Sequence, residues 1–100
     1  MRVIARNVLV RFFEQHAETR APLERWYRLT RAAQWGSIED VLRAAPKAKV
    51  INRERVRFEI AGGNCRVVVA FDFRRQIACV TFIGSHAEYD RTDVADVSQF

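Results

Sequence analysis

Between Arg55 and Tyr89 the chain sets apolar runs against short polar breaks. The runs are Val56-Arg57-Phe58-Glu59-Ile60, Arg66-Val67-Val68-Val69-Ala70-Phe71 and Ile77-Ala78-Cys79-Val80-Thr81-Phe82-Ile83. They are rich in β-branched and aromatic residues, which suit a pleated surface and predict three strands. Gly62-Gly63-Asn64 and the segment Asp72 to Gln76 are short and tolerant of positive φ, so the strands follow one another as an antiparallel meander. In the first strand Val56, Phe58 and Ile60 face one way and Arg55, Arg57 and Glu59 the other, which predicts one wet face. The other two strands are apolar on both faces, as expected of inner strands covered by helices on one side and partly shielded on the other. Arg66 is the exception. Antiparallel order brings it near Gly84 and Ser85, which lead into His86-Ala87-Glu88-Tyr89-Asp90, so arginine, histidine and tyrosine meet at one sheet corner.

The first half of the chain shows helical periods. Met1 to Ala5 alternates as a short strand able to join the sheet, and Asn7 is placed to cap a helix from Val8 to about Ala17, with Leu9, Phe12, Phe13 and His16 on one stripe. A second helix is expected to start at Pro22, to carry Leu23, Trp26, Tyr27, Thr30 and Ala33 along its inner face, and to stop at Gly36. Ser37-Ile38-Glu39-Asp40 reads as the capped start of a third, short helix with Ile38, Val41 and Leu42 inside, ending before Pro46. Lys47 to Ile51 alternates again and reads as an edge strand, which lysines protect from further pairing. The expected fold class is α+β: a small antiparallel meander sheet with an N-terminal strand and two to three helices packed on one face. Residues 1–100 read as one domain.

Hydrophobic residues make up 49% and charged residues 29% of the chain, values of a globular protein rather than a disordered one. No apolar run approaches the ~20 residues of a membrane span, and the N-terminus has no signal-peptide pattern, so a cytoplasmic location is expected. Cys65 and Cys79 fall inside strands without metal-ligand spacing and read as reduced thiols. Net charge is +5 with a pI near 10.0. Its distribution adds more than its total. Arg43, Lys47, Lys49, Arg53, Arg55 and Arg57 oppose only Glu54 between Val41 and Arg57, whereas the segment after Ser85 is acidic. That suggests a polyanion on one side of the molecule, although a solvated strand edge explains Lys47 and Lys49 as well.

There is no phosphate-cradling glycine loop, no metal-ligand pair and no serine nucleophile elbow. Histidine, tyrosine and arginines remain. They are suited to moving protons and stabilising charge at a phosphodiester without a metal or other cofactor: RNA cleavage by its own 2′-hydroxyl needs a base, donors for the phosphorane charge, and an acid for the leaving oxygen.

Phe82-Ile83-Gly84-Ser85-His86-Ala87-Glu88-Tyr89-Asp90, with Gly63-Asn64-Cys65-Arg66 upstream and Pro22, Leu23, Trp26 and Tyr27 opening the second helix, resembles the HigB family of toxins in the RelE/ParE superfamily. The resemblance implies a RelE-like fold and a toxin that cuts mRNA on the translating ribosome. It also implies a helix-turn-helix antitoxin of the HigA type as partner. His86, Tyr89 and Arg66 match the family's histidine, tyrosine and arginine. Cys65 departs from the pattern, which has an aromatic residue there, and Arg57 stands where a non-basic residue is common. The expected catalytic set is His86, Tyr89, Arg66 and Arg57, with Lys47, Lys49, Arg53 and Arg55 binding RNA or ribosome. The alternative is a ParE-like toxin that binds and poisons a DNA topoisomerase without cutting anything.

Overall fold

The computed structural model describes residues 1–100. Nine regular elements follow in the order β1 (Arg2–Ile4), α1 (Arg6–Gln15), α2 (Arg20–Ala32), α3 (Ile38–Ala44), β2 (Lys49–Val50), β3 (Arg55–Ile60), β4 (Cys65–Asp72), β5 (Ile77–Gly84) and α4 (His86–Asp90). The sheet has the order β1-β5-β4-β3-β2. Its last three long strands form the expected antiparallel meander, while β1 lies parallel to β5, so the sheet is mixed and open. The α+β architecture anticipated from the apolar pattern is the one observed.

One face of the sheet carries the core. Val56, Phe58, Ile60, Val67, Val69, Phe71, Val80 and Ile83 pack against Val8, Leu9, Phe13, Leu23, Trp26 and Val41 of α1 to α3. Trp26 and Phe71 both meet the Phe58 ring edge-on, at 5.4 and 6.3 Å. Val68 and Phe82 are equally buried but stand apart from this cluster, on the opposite face. The β4–β5 register shifts between Val68 and Val69, where β5 carries one extra residue, Thr81, and this bulge lets Val80 and Ile83, three residues apart, both face the core.

Several element boundaries differ from expectation, each for a local reason. Asn7 does not cap α1: Ala5 is the N-cap, without a side-chain bond, and the helix ends at Gln15, before Ala17. The helix α2 begins at Arg20 after a 3-10 turn at Ala17–Thr19, which places Pro22 third. Proline costs nothing there because the first four helical amides lack an intrahelical acceptor. This helix ends at Ala32, four residues before Gly36, where the Met1 amino group donates to the Thr30, Arg31 and Ala33 carbonyls at 3.3, 2.9 and 2.7 Å. A positive charge on those open carbonyls also suits the negative end of the helix. Ser37 caps α3 as expected, accepting from the Asp40 N–H. At the first hairpin the positive φ angles fall on Ala61, Gly62 and Gly63, and Asn64 is right-handed.

Both cysteines are free. Burial, with smaller contributions from Glu88 and Glu18, pushes the Cys65 thiol up to about 12. A raised thiol pKa means that the native state keeps a proton the unfolded chain has lost. Stability is therefore unaffected below about pH 9, the ordinary value, and falls as pH rises from there towards about 12. A thiol reagent at neutral pH is expected to label the half-buried Cys79 in the native protein and Cys65 only on unfolding; native labelling of Cys65 at the Cys79 rate would contradict this packing.

Candidate functional site

The second face of the sheet is where the polar residues of β3 and β4 meet. Glu59 is the cross-strand partner of Arg66, and Arg57 that of Val68. Phe71 N–H bonds to the Glu54 carbonyl, so the even-numbered residues of β3 face the β4 hydrogen bonds. Glu59 and Arg66 thus form a non-hydrogen-bonded pair, the closer kind for side chains. Glu59 Oε1 accepts from Arg57 Nη2 at 3.0 Å and from Arg66 Nη2 at 3.4 Å. The face predicted to be wet is covered here: Arg57 is 7% and Arg66 9% exposed.

The cover is α4. Ser85 caps this helix with a full capping box, accepting from Glu88 N–H while its own N–H donates to Glu88 Oε1. Those bonds hold the Glu88 carboxyl below its ordinary 4.5. Because the folded value is the depressed one, the contribution of the cap is full above about pH 4.5 and is lost as pH falls through the folded value. Gly84 allows the close approach: a Cβ there would lie 2.8 Å from Phe82 Cζ and 3.3 Å from Glu88 Cβ.

Tyr89, one turn into α4, leans edge-on against Phe82 at 6.1 Å and presents its ring to both guanidiniums, with Arg66 Cζ 4.8 Å and Arg57 Cζ 5.4 Å from its centroid. Each such contact is worth about 0.5 to 2 kcal/mol. Two guanidiniums thus share one carboxylate and one aromatic face, leaving a net positive charge. The Nε–H of each is shielded from solvent and has no acceptor. A phosphate, with several oxygens and geometry matched to a guanidinium fork, complements that arrangement.

His86 opens α4 and is more than half exposed, its Nδ1 2.9 Å from Asp90 Oδ2 one turn further on. With Nδ1 held, Nε2 is the nitrogen left to take or give a proton. The sheet corner therefore brings Arg57, Arg66 and Tyr89 into contact and sets His86 on the same short helix, paired with Asp90 instead of with the arginines.

The basic residues divide. Lys47, Lys49 and Arg53 are exposed, and Lys49 lies across from Arg57 on the same face. Arg55 is engaged elsewhere, its Nη1 donating to the carbonyls of Val94 and Val97 at 2.9 and 2.6 Å and strapping the C-terminal segment over the sheet. Gln99 completes the strap, donating its N–H to Thr81 O and accepting from Ile83 N–H, both at 3.0 Å. Glu59 and Asp90 were not singled out by sequence. The signal for Glu59 was present, since it shares a strand face with Arg57 and stands opposite Arg66; that for Asp90 was its spacing of four from His86. No three histidine, cysteine, aspartate or glutamate side chains gather closely enough to hold a metal ion.

A family model described as HigB toxin, the RelE-like toxic component of a toxin–antitoxin system, matches residues 19–92. The chain belongs to the HigB toxin family. The matched stretch runs from the start of α2 through α4 and so contains every residue of the arginine–tyrosine corner. Among curated proteins none matches the chain. A RelE-like toxin of a toxin–antitoxin system has an antitoxin as its partner. No helix of this toxin is long and apolar enough to cross a membrane.

Proposed function

We propose that this toxin is a ribosome-dependent mRNA endonuclease acting in the cytoplasm, with residues 1–100 forming one domain. Its HigA-type, helix-turn-helix antitoxin holds it in check. The observation that carries the reading is the pair of nearly buried guanidiniums on the Tyr89 ring, which share one carboxylate and so retain a charge for a phosphate. In this scheme the scissile phosphate replaces part of the Glu59 contact and takes the forks of Arg66 and Arg57. As the 2′-oxygen attacks, negative charge grows on the phosphorane, and the arginines stabilise it where it develops. The 2′-hydroxyl loses its proton and the 5′-oxygen gains one, duties shared by His86 Nε2 and the Tyr89 hydroxyl. The scheme needs no cofactor. His86 is exposed in the free toxin, which accords with a site completed only when the ribosome sets the 2′-oxygen in line with phosphorus; orientation of that kind contributes ~7 to 11 kcal/mol to lowering a barrier.

Primer extension on an mRNA in a translation reaction tests the reading. Discrete cuts are expected while ribosomes translate, with little or no cutting of naked RNA. Equal cutting of both makes the protein a free-standing ribonuclease. Absence of cutting in both, with inhibition of a DNA topoisomerase, would favour the ParE-like alternative.

The basic residues give a graded result. Replacing Lys47, Lys49 and Arg53 together with Ala is expected to weaken ribosome binding and flatten its salt dependence, because each lost phosphate contact releases fewer counterions. Arg55→Gln is expected to keep the salt slope, since Nη1 of its guanidinium is held by the Val94 and Val97 carbonyls, and to loosen the C-terminal strap instead. A wild-type slope in the triple variant reduces these residues to a solvated edge; a flattened slope in Arg55→Gln returns that arginine to the RNA.

A further inference from the structure

The strand β2 pairs with β3 only through Lys49 and Val50. Ile51 N–H donates to the Arg55 carbonyl at 2.9 Å, so in this ladder the odd-numbered residues of β3 turn their backbone groups towards β2. Beyond Arg57 the next is Glu59, and opposite it the chain has left the sheet, turning from the end of α3 with Ala48 N–H on the Ala45 carbonyl at 3.0 Å. The N–H and C=O of Glu59 therefore point into a space with no strand in it. That space is a slot of about 330 Å³ lined by Ala45, Pro46, Lys47, Ala48, Phe58 and Glu59. Its walls are mostly apolar, and Lys47 stands exposed at the rim.

Resting on the ribonuclease reading, we infer that this slot is a subsite for one unstacked nucleobase of the RNA whose phosphate lies on Arg57 and Arg66. Apolar walls with one donor and one acceptor at the edge suit an aromatic heterocycle that carries both hydrogen-bonding types side by side. The size agrees: pockets for small molecules run from ~300 to 1,000 Å³, so there is room for a single base. An added peptide strand fits less well. Glu59 is the only residue of β3 with open edge groups before the turn at Ala61–Gly63, so a strand would gain one pair of bonds, whereas one pair serves a base fully. Charge points the same way, with Lys47 and Lys49 beside the slot to meet a polyanion backbone. Glu59 joins the two places: its side chain lies between the arginines and it also lines the slot, so one residue borders both the phosphate and the base. The slot is thus a determinant of which codon is cut.

The test uses translating ribosomes and a set of mRNAs that differ by one base at each position flanking the cut. The wild-type toxin is expected to favour one base at one position by on the order of tenfold or more. Ala48→Leu, which fills the slot from its wall, is expected to bring the preferred mRNA down to the rate of the others, within about twofold. Lys47→Ala is expected to slow all of them in proportion and keep the preference. Because Ala48 is half-buried, the wild-type protein supplies a second readout that does not depend on the folding of a variant. There 2-aminopurine at the preferred position of an mRNA lacking the reactive 2′-hydroxyl should change fluorescence when toxin binds the ribosome. Retained preference in folded Ala48→Leu, unchanged 2-aminopurine fluorescence, or wild-type cutting without any base preference each overturns the slot assignment alone. Retained preference together with loss of antitoxin binding gives the slot to a protein segment. No wild-type cutting of any mRNA strikes the ribonuclease reading itself.

Discussion

Arg66→Lys is expected to cut ribosome-bound mRNA ~100-fold or more slowly than the wild-type toxin, the scale of losing one preorganised donor to a developing oxyanion. Charge is kept in this variant. What is lost is the planar fork that can grip two phosphate oxygens at once, together with the guanidinium's cation–π contact to the Tyr89 ring at 4.8 Å. Stability should change much less. Glu59 retains Arg57 at 3.0 Å, and the Arg66 contact to it, at 3.4 Å, is the looser of the two. A loss of about 1 kcal/mol would move the melting temperature of a domain this size by ~4 to 8 °C. Single-turnover cutting beside thermal melts separates the two effects, and a wild-type rate with a lowered melting temperature would make Arg66 a structural residue.

His86→Ala is expected to have an effect as large, ~100- to 10,000-fold in rate, the usual contribution of a positioned acid or base. Its melting temperature should match that of the wild type, because the imidazole is more than half exposed and its partner, Asp90, is equally so. Even a fully charged exposed pair contributes only about 0 to 1 kcal/mol. Asp90→Asn should fall between, since it leaves the imidazole in place but weakens the contact that presents Nε2. If His86→Ala cut as fast as the wild type while Arg66→Lys did not, the proton transfers would belong to Tyr89 and the ribosome.

The sheet was legible because β3 obeys a two-residue period, with Val56, Phe58 and Ile60 facing the core, and because β4 and β5 are runs of β-branched and aromatic residues bounded by turn signals; Lys49 does sit on the edge. The end of α2 was not, because it depends on a partner far away in sequence. Nothing near Ala32 signals that the Met1 amino group will occupy the last carbonyls of α2. The corner was half legible. Antiparallel order alone places Arg66 beside Gly84, but the burial of Arg57 depends on α4 folding back over the sheet, which Gly84 and the Ser85 cap make possible. Arg55 shows the opposite case. Charge clustering groups it with the lysines, yet its guanidinium is engaged by carbonyls some forty residues further on, a contact that no local pattern encodes.

The toxin is expected to make mRNA cut itself at this corner, through the 2′-hydroxyl, when a ribosome presents it. The most direct measurement is single-turnover cleavage of an mRNA held on a programmed ribosome, compared with the same mRNA carrying one 2′-deoxynucleotide on the 5′ side of the cut and with both RNAs free of ribosomes. The expected result is rapid cutting of the all-ribose mRNA on the ribosome, a 2′,3′-cyclic phosphate on the upstream fragment, and no product under the other three conditions. Cutting of the 2′-deoxy mRNA at the wild-type rate and position would contradict the account.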